Sequence, residues 1–321
     1  MGEEMQGVGV DTGWRKAIPE ARNRSQSRAL VGVVGALLAA LCAYSVFVAY
    51  PSATSFVALP VEAVEISLGF AILVRALRAA TPGGAVCGGM ICFLITFWTG
   101  SFTESVLRTG LTPLIFLFVL TFVSTRTGRR RKARTGLAES RRGRSGAQVI
   151  ANLSVAALSV SPQSINMVQR WMAYCCISGR LDAWAFEVVK VMCVAALAEA
   201  TADTVSSEIG QAFGGDPVLI AGLRRVEPGT DGAVTLLGSC AGVAAAALVA
   251  IAGGWAMHLS AAAIVTSLGA GIDGLFFDSL LGATVERRGW IGNDLVNFTS
   301  TLFAAALAAV FSGFRPLIDL I

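Results

Sequence analysis

Several polar clusters interrupt an otherwise apolar chain, and their residue types suit the handling of phosphate and a hard cation. In Ala202-Asp203-Thr204-Val205-Ser206-Ser207-Glu208-Ile209-Gly210, Asp203, Ser207 and Glu208 fall at i, i+4 and i+5, so a helix here presents two carboxylates and a hydroxyl on one face. Oxygen ligands of that kind suit Mg²⁺. Glu199 lies one turn earlier and adds a further ligand or a partner to the ligands. In Pro228-Gly229-Thr230-Asp231-Gly232, glycines on both sides of Thr-Asp allow a tight turn and a close backbone approach to phosphate oxygens. The apolar run that follows from Ala233 would offer a helix N-terminus to an anion. A plain surface turn is the competing reading. Asp278-Ser279 closes another apolar run, and Asn293, Asp294 and Asn297 open the last one. Asn293 suits a cap, whereas Asp278 and Asn297 inside apolar segments call for a ligand or a partner.

The elements that must position these groups are membrane helices. Hydrophobic residues make up 55% of the 321 positions and charged residues only 14%, with a mean hydropathy of +0.68, outside the range of soluble domains. The composition predicts an all-α, polytopic helical bundle of about nine spans. They centre on residues 29–50, 56–77, 84–98, 111–123, 147–160, 183–200, 233–251, 259–281 and 295–311. Residues 1–28 read as a basic, partly disordered cytoplasmic tail, and 29–321 as the membrane-embedded catalytic domain. Residues 161–182 are too polar to span and are expected to loop or lie in the interface. Glu62 and Glu65, within the second run, are expected to face protein or cavity, or to pair with Arg75. The Ala, Gly and Ser-rich segment from Ala233 to Ala309 reads as close helix packing.

Nine basic residues (Arg126, Arg129, Arg130, Arg131, Lys132, Arg134, Arg141, Arg142 and Arg144) stand against only Glu139 in the loop at 126–146. The positive-inside rule makes that loop and the N-terminus cytoplasmic. The acidic clusters then fall on the cytoplasmic face too. Topogenic charge alone explains part of the loop, and anionic lipid or phosphate explains the rest. Seven cysteines without paired spacing and a single histidine, His258, give no zinc or disulfide pattern. No nucleic-acid partner is expected, and no internal repeat supports an inverted-repeat transporter.

The order of these motifs resembles a known family. Ala-Asp-Thr-x-x-Ser-Glu-Ile-Gly at 202–210, Gly-Thr-Asp-Gly-Ala-Val at 229–234, Asp-Ser-Leu-Leu-Gly-Ala-Thr at 278–284 and Asn-Asp-x-Val-Asn-Phe at 293–298 look like the integral membrane family called domain of unknown function 92, or transmembrane protein 19. Thr125-Arg126-Thr127-Gly128 and Gln148-Val149-x-Ala151-Asn152 agree with it, and the likeness extends over roughly residues 30–315. That family includes phytyl-phosphate kinase, so the resemblance implies nucleotide-dependent phosphorylation of a prenyl or phytyl monophosphate. A weaker similarity reaches phosphatidate cytidylyltransferases and dolichol kinases, which use CTP. Gly210-Gln211 departs from the Lys-Arg of the cytidylyltransferase signature, and no Asp-Arg-x-x-Asp follows Gly232.

The expected site follows from these readings. Asp203, Glu208, Asp231 and Asp278 would hold Mg²⁺, with Asp203, Glu208 and Asp278 central to catalysis. Ser207, Gly229, Thr230, Gly232, Asn293 and Asn297 would cradle the nucleotide, CTP being favoured. Arg129, Lys132, Arg141, Arg144, Arg224 and Arg225 would neutralise phosphate. The isoprenoid tail is expected between the small-residue helices, and a homodimer is possible. A bacterial inner membrane is favoured, with a plastid or other organelle membrane as the alternative. A cytidylyltransferase-like enzyme and a transporter or scramblase are the competing functions.

Overall fold

The computed structural model describes residues 18–49, 58–100, 104–134, 136–137, 142–174 and 181–318. Each apolar run read from the sequence is a helix there: α1 (Glu20–Ala49), α2 (Ala58–Ala76), α3 (Pro82–Thr99), α4 (Leu111–Arg126), α6 (Gly146–Ser159), α8 (Leu181–Phe213), α9 (Leu236–Met257), α10 (Ala261–Leu281) and α11 (Asn293–Ile318). Two more polar helices join them, the short α5 (Arg129–Arg134) and α7 (Pro162–Tyr174). Among the described residues, α1, α3, α9, α10 and α11 are long and apolar enough to cross a membrane, while α4 and α6 are shorter apolar helices. α2 and α8 are as long but carry several charged side chains. The protein is a helical integral membrane protein.

Three local differences from the sequence reading have simple causes. α1 begins at Glu20, ahead of the expected start at Ala29, because its first turns are tied down. Arg22 Nη1 donates to Gly289 O (2.9 Å), Ser27 Oγ to Asp294 Oδ2 (2.6 Å), and Gly292 N to Gln26 Oε1 (2.9 Å). Polar residues 162–174 form a helix that buries Ile165, Val168 and Met172 on one face. Glu62 and Glu65 are exposed on α2 and line neither cavity at the basic end of the bundle.

The ends of the bundle differ in charge. At one end the α2–α3 turn meets the start of α6 through a bridge between Ala80 and Arg144, and Arg126 Nη2 donates to Leu77 O (2.9 Å). At the other, Arg108 Nη1 donates to Trp255 O (2.6 Å) and His258 pairs with Glu104 (3.0 Å). Arg75, Arg78, Arg144, Arg287 and the basic helix α5 gather at the first end.

Small residues bring α9 and α10 against α8. A Cβ on Gly242 would stand 2.7 Å from Ala202 O and 2.9 Å from Ser206 Cβ, and one on Gly274 would stand 2.6 Å from Glu199 Cγ. Glycines at these two positions therefore serve close helix contact. Gly242→Leu is expected to destabilise the fold by about 1–3 kcal/mol through overpacking. Thermal unfolding in detergent checks this, and an unchanged midpoint would count against so close a crossing.

Candidate active site

Four helix ends and one loop converge on a cavity of about 260 Å³ at the basic end of the bundle. α8 brings Asp203, Ser207 and Glu208; α10 brings Asp278 and Ser279, and the π turn after it (Gly282–Glu286) brings Glu286. α11 contributes Asn293 and Asn297, and α6 contributes Gln148 and Asn152. The loop Pro228–Thr235 closes the cavity, and Arg144 lines it.

The loop is held from both sides. Val218–Leu219 pairs antiparallel with Ala233–Val234, and Ile220 N donates to Gly232 O (3.1 Å). Gly232 adopts a positive φ of 72°. A Cβ there would lie 2.2 Å from Ala283 N and 2.4 Å from Ser279 O, so only glycine lets the loop rest on the end of α10. Thr230 is buried, and its hydroxyl donates to Glu227 O (2.7 Å).

Hydrogen bonds orient the inner carboxylate. Ser300 Oγ donates to Asp278 Oδ2 (3.0 Å). The Asn297 amide satisfies all its neighbours when its nitrogen donates to Asn293 O (3.2 Å) and Asp278 Oδ2 (3.3 Å) and its oxygen accepts from Asn152 Nδ2 (3.1 Å). Asn152 Nδ2 also donates to Gln148 O (2.8 Å), which links α6, α10 and α11. Arg144 Nη2 donates to Thr204 Oγ1 (3.3 Å) one residue beyond Asp203.

The expected residues divide. Asp203, Ser207, Glu208, Gly229, Thr230, Asp231, Gly232, Asp278, Asn293, Asn297 and Arg144 line this one cavity. Lys132 does not stand free for phosphate: it is 1% exposed and its ammonium pairs with Glu208 Oε2, which gives Glu208 a structural partner instead of leaving both oxygens for metal. Arg129 lines a neighbouring cavity. Arg224 and Arg225 are exposed away from both cavities, and Arg225 lies 3.5 Å from Asp216. Arg141 lies outside the described residues. Glu286 was not among the expected groups; its position eight residues after Asp278, across a π turn, is the signal that marks it.

Removing one member of a buried ion pair leaves an uncompensated charge, a loss of about 3–5 kcal/mol. Lys132→Met should therefore unfold at markedly lower temperature, and Lys132→Met with Glu208→Leu should recover most of the loss. A double variant no more stable than the single would contradict the pairing.

Among the described residues, no three His, Cys, Asp or Glu side chains form a ready-made metal cage. The donor set fits Mg²⁺ in another way, since that ion commonly takes one or two carboxylates and completes its shell with water and phosphate oxygens. Asp278 is within electrostatic reach of Asp203, Asp231 and Glu286, and buried Glu199 Oε2 has no hydrogen-bond partner. Burial raises the Asp231 carboxyl above its ordinary range, opposed by nearby Arg287. Ionised Asp231 thus opposes folding as pH rises through that raised value, a cost that a bound cation offsets.

A family model described as integral membrane protein DUF92 matches residues 65–305. The chain is 31% identical over 208 residues to the uncharacterized membrane protein sll0875 of Synechocystis, covering 63% of this chain and 72% of that protein. It is 36% identical over 117 residues to the uncharacterized membrane protein MJ0933 of Methanocaldococcus jannaschii, covering 36% and 49%. To Protein VTE6, chloroplastic, of Arabidopsis thaliana it is 28% identical over 201 residues, covering 61% and 56%. The chain thus spans about half the length of the latter two. No solved structure matches it.

Proposed function

The chain belongs to the DUF92 family of integral membrane proteins, and on that premise we propose that it is a nucleotide- and Mg²⁺-dependent kinase that converts a prenyl monophosphate, of phytyl or geranylgeranyl type, to the diphosphate. The observation that carries this reading is the cavity's charge. Asp203, Asp231, Asp278 and Glu286 line it beside Arg144, so phosphate is repelled unless a cation enters with it. Likeness to VTE6 and to the family that includes phytyl-phosphate kinase supports the substrate class.

Phosphoryl transfer requires two anions aligned and neutralised, with little covalent help from protein. When bound, Mg²⁺ would neutralise charge on the nucleotide β- and γ-phosphates. Asp203 and Asp278 would hold it, and the Gly229–Gly232 backbone would approach phosphate oxygens. Arg144 takes the acceptor phosphate, whose guanidinium partner suits a two-oxygen contact. An acceptor oxygen forms the new bond to the γ-phosphorus as the bond to the β–γ bridging oxygen breaks, and the nucleoside diphosphate leaves. The acceptor is already ionised at neutral pH, so no strong general base is needed. CTP is the favoured donor, by similarity to dolichol kinases. The basic end of the bundle faces the cytoplasm, with the N-terminus on that side and nine crossings, in a bacterial inner membrane.

The test is incubation of the purified protein with γ-labelled CTP, GTP, UTP or ATP, Mg²⁺ and a panel of prenyl monophosphates, followed by separation of the lipids. Label in a lipid diphosphate, lost on chelation of Mg²⁺, is the expected result. Label released as pyrophosphate, with none in the lipid, would replace the kinase by a cytidylyltransferase.

A further inference from the structure

α6 is a partition between two cavities. Gln148 and Asn152 face the acidic one, whereas Val149 and Leu153, each one residue on, face a second cavity of about 400 Å³ bounded by α2, α3, α4 and α6. That volume lies in the range of about 300–1,000 Å³ typical of small-molecule sites. Its depth is apolar: the Phe70 and Phe118 rings meet edge to face at 5.6 Å between α2 and α4. Its mouth is basic, formed by Arg78, Arg126, Arg129 and Arg144. Arg126 lies over the Phe122 ring at 3.4 Å while donating to Leu77 O, and Arg78 sits at φ 55°, an uncommon backbone state for a residue other than glycine.

Arg144 belongs to both cavities, and its backbone is fixed there. Arg144 N donates to Ala79 O and Thr81 N to Arg144 O, each at 2.9 Å. A Cβ on Gly84 would lie 2.5 Å from Arg144 O, and one on Gly143 would lie 2.6 Å from Ala79 C. Glycines at both positions let the α2–α3 turn and the start of α6 close together and place the guanidinium between the two spaces.

We infer that this second cavity seats the tail of a prenyl monophosphate, with the head phosphate at Arg144, facing the nucleotide across the end of α6. An apolar pocket under an arginine rim is complementary to one hydrocarbon chain bearing a compact dianion. This assignment rests on the kinase reading for the identity of the lipid. It places the tail among α2, α3, α4 and α6, away from the small-residue helices α9 and α10.

Equilibrium binding of radiolabelled geranylgeranyl monophosphate to the full-length protein in nanodiscs, without nucleotide, tests it. Gly88→Leu is the principal filling variant, because a Cβ there meets Phe70 at an ordinary 3.7 Å; Leu153→Trp is the second. Loss of room for a few methylenes should weaken binding by at least about tenfold, with affinity for Mg²⁺–nucleotide unchanged. Arg78→Gln and Arg126→Gln should weaken the phosphate and leave binding of the parent alcohol unaltered. Undetectable binding to the natural chain, unchanged affinity in a folded filling variant, or equal competition by a diacyl anionic phospholipid would each overturn the assignment. Binding that follows this pattern without any label transfer would instead overturn the kinase reading alone, and transfer that survives with unchanged lipid affinity in the filled variants would overturn the cavity alone.

Discussion

Asp278→Asn is expected to remove phosphoryl transfer by on the order of 10³-fold while the protein stays folded, the size of effect seen when one preorganised electrostatic group is lost. The substitution keeps the shape and deletes the charge. An amide at this position still offers one oxygen to Ser300 Oγ, now at 3.0 Å from Asp278 Oδ2, so the contact among α10, α11 and α6 survives. What disappears is the negative charge that faces Asp203 across the cavity. Asp203→Asn should act alike, and the double variant should be little worse than either single if both carboxylates hold one cation. Turnover with γ-labelled nucleotide reports the loss, and a monodisperse elution profile with an unchanged unfolding midpoint reports the intact fold. Full activity in both variants would end the assignment of this cavity as the site of transfer.

Gly232→Val should be nearly as damaging for a different reason. Its Cβ would overlap Ala283 N at 2.2 Å and Ser279 O at 2.4 Å, both of them backbone atoms that cannot rotate away. The positive φ of 72° adds strain for a branched side chain. The loop has to lift from α10, which withdraws Thr230 and Asp231 from the carboxylates on α8 and α10. The expected result is a nucleotide kcat/KM lowered by about 100-fold, the order expected when a reacting group is misplaced by about 1 Å, with helix content by circular dichroism unaltered. Gly222→Ala is the control. Its φ is 102°, yet a Cβ there meets nothing within 4 Å, so it carries the backbone strain without the collision and should keep its kcat/KM. Equal effects from the two would assign the damage to strain alone.

The site was legible where polarity and hydrophobicity conflict. Asp203, Asp231, Asp278 and Asn297 each interrupt or adjoin an apolar run, and alternation of the runs across a bilayer sends those interruptions to the same end as the basic loop. That inference needs only the period of a helix and the asymmetry of Lys and Arg. The roles within the charged set were not legible in the same way. Lys132 and Glu208 are far apart in the chain and look alike, in composition, to their neighbours Arg129 and Asp203. Only the packing of α5 against α8 turns one pair into a buried ion pair and leaves the others facing a cavity.

The same division holds for the lipid. Small residues in α9 and α10 suggest room between helices, but room depends on how closely the backbones approach, and there Gly242 and Gly274 are spent on contact with α8, the latter with its Glu199. Space remains where Phe70 and Phe118 hold α2 and α4 apart above α6. From its sequence alone the chain is determined to be a membrane helical bundle with its acidic and basic groups near helix ends, because hydropathy and side-chain period are local properties. Which carboxylates share a cavity, which lysine is consumed in a pair and where an apolar cavity opens under a basic rim were decided only by the tertiary structure, because these depend on distances between helices far apart in the chain, which local patterns do not encode.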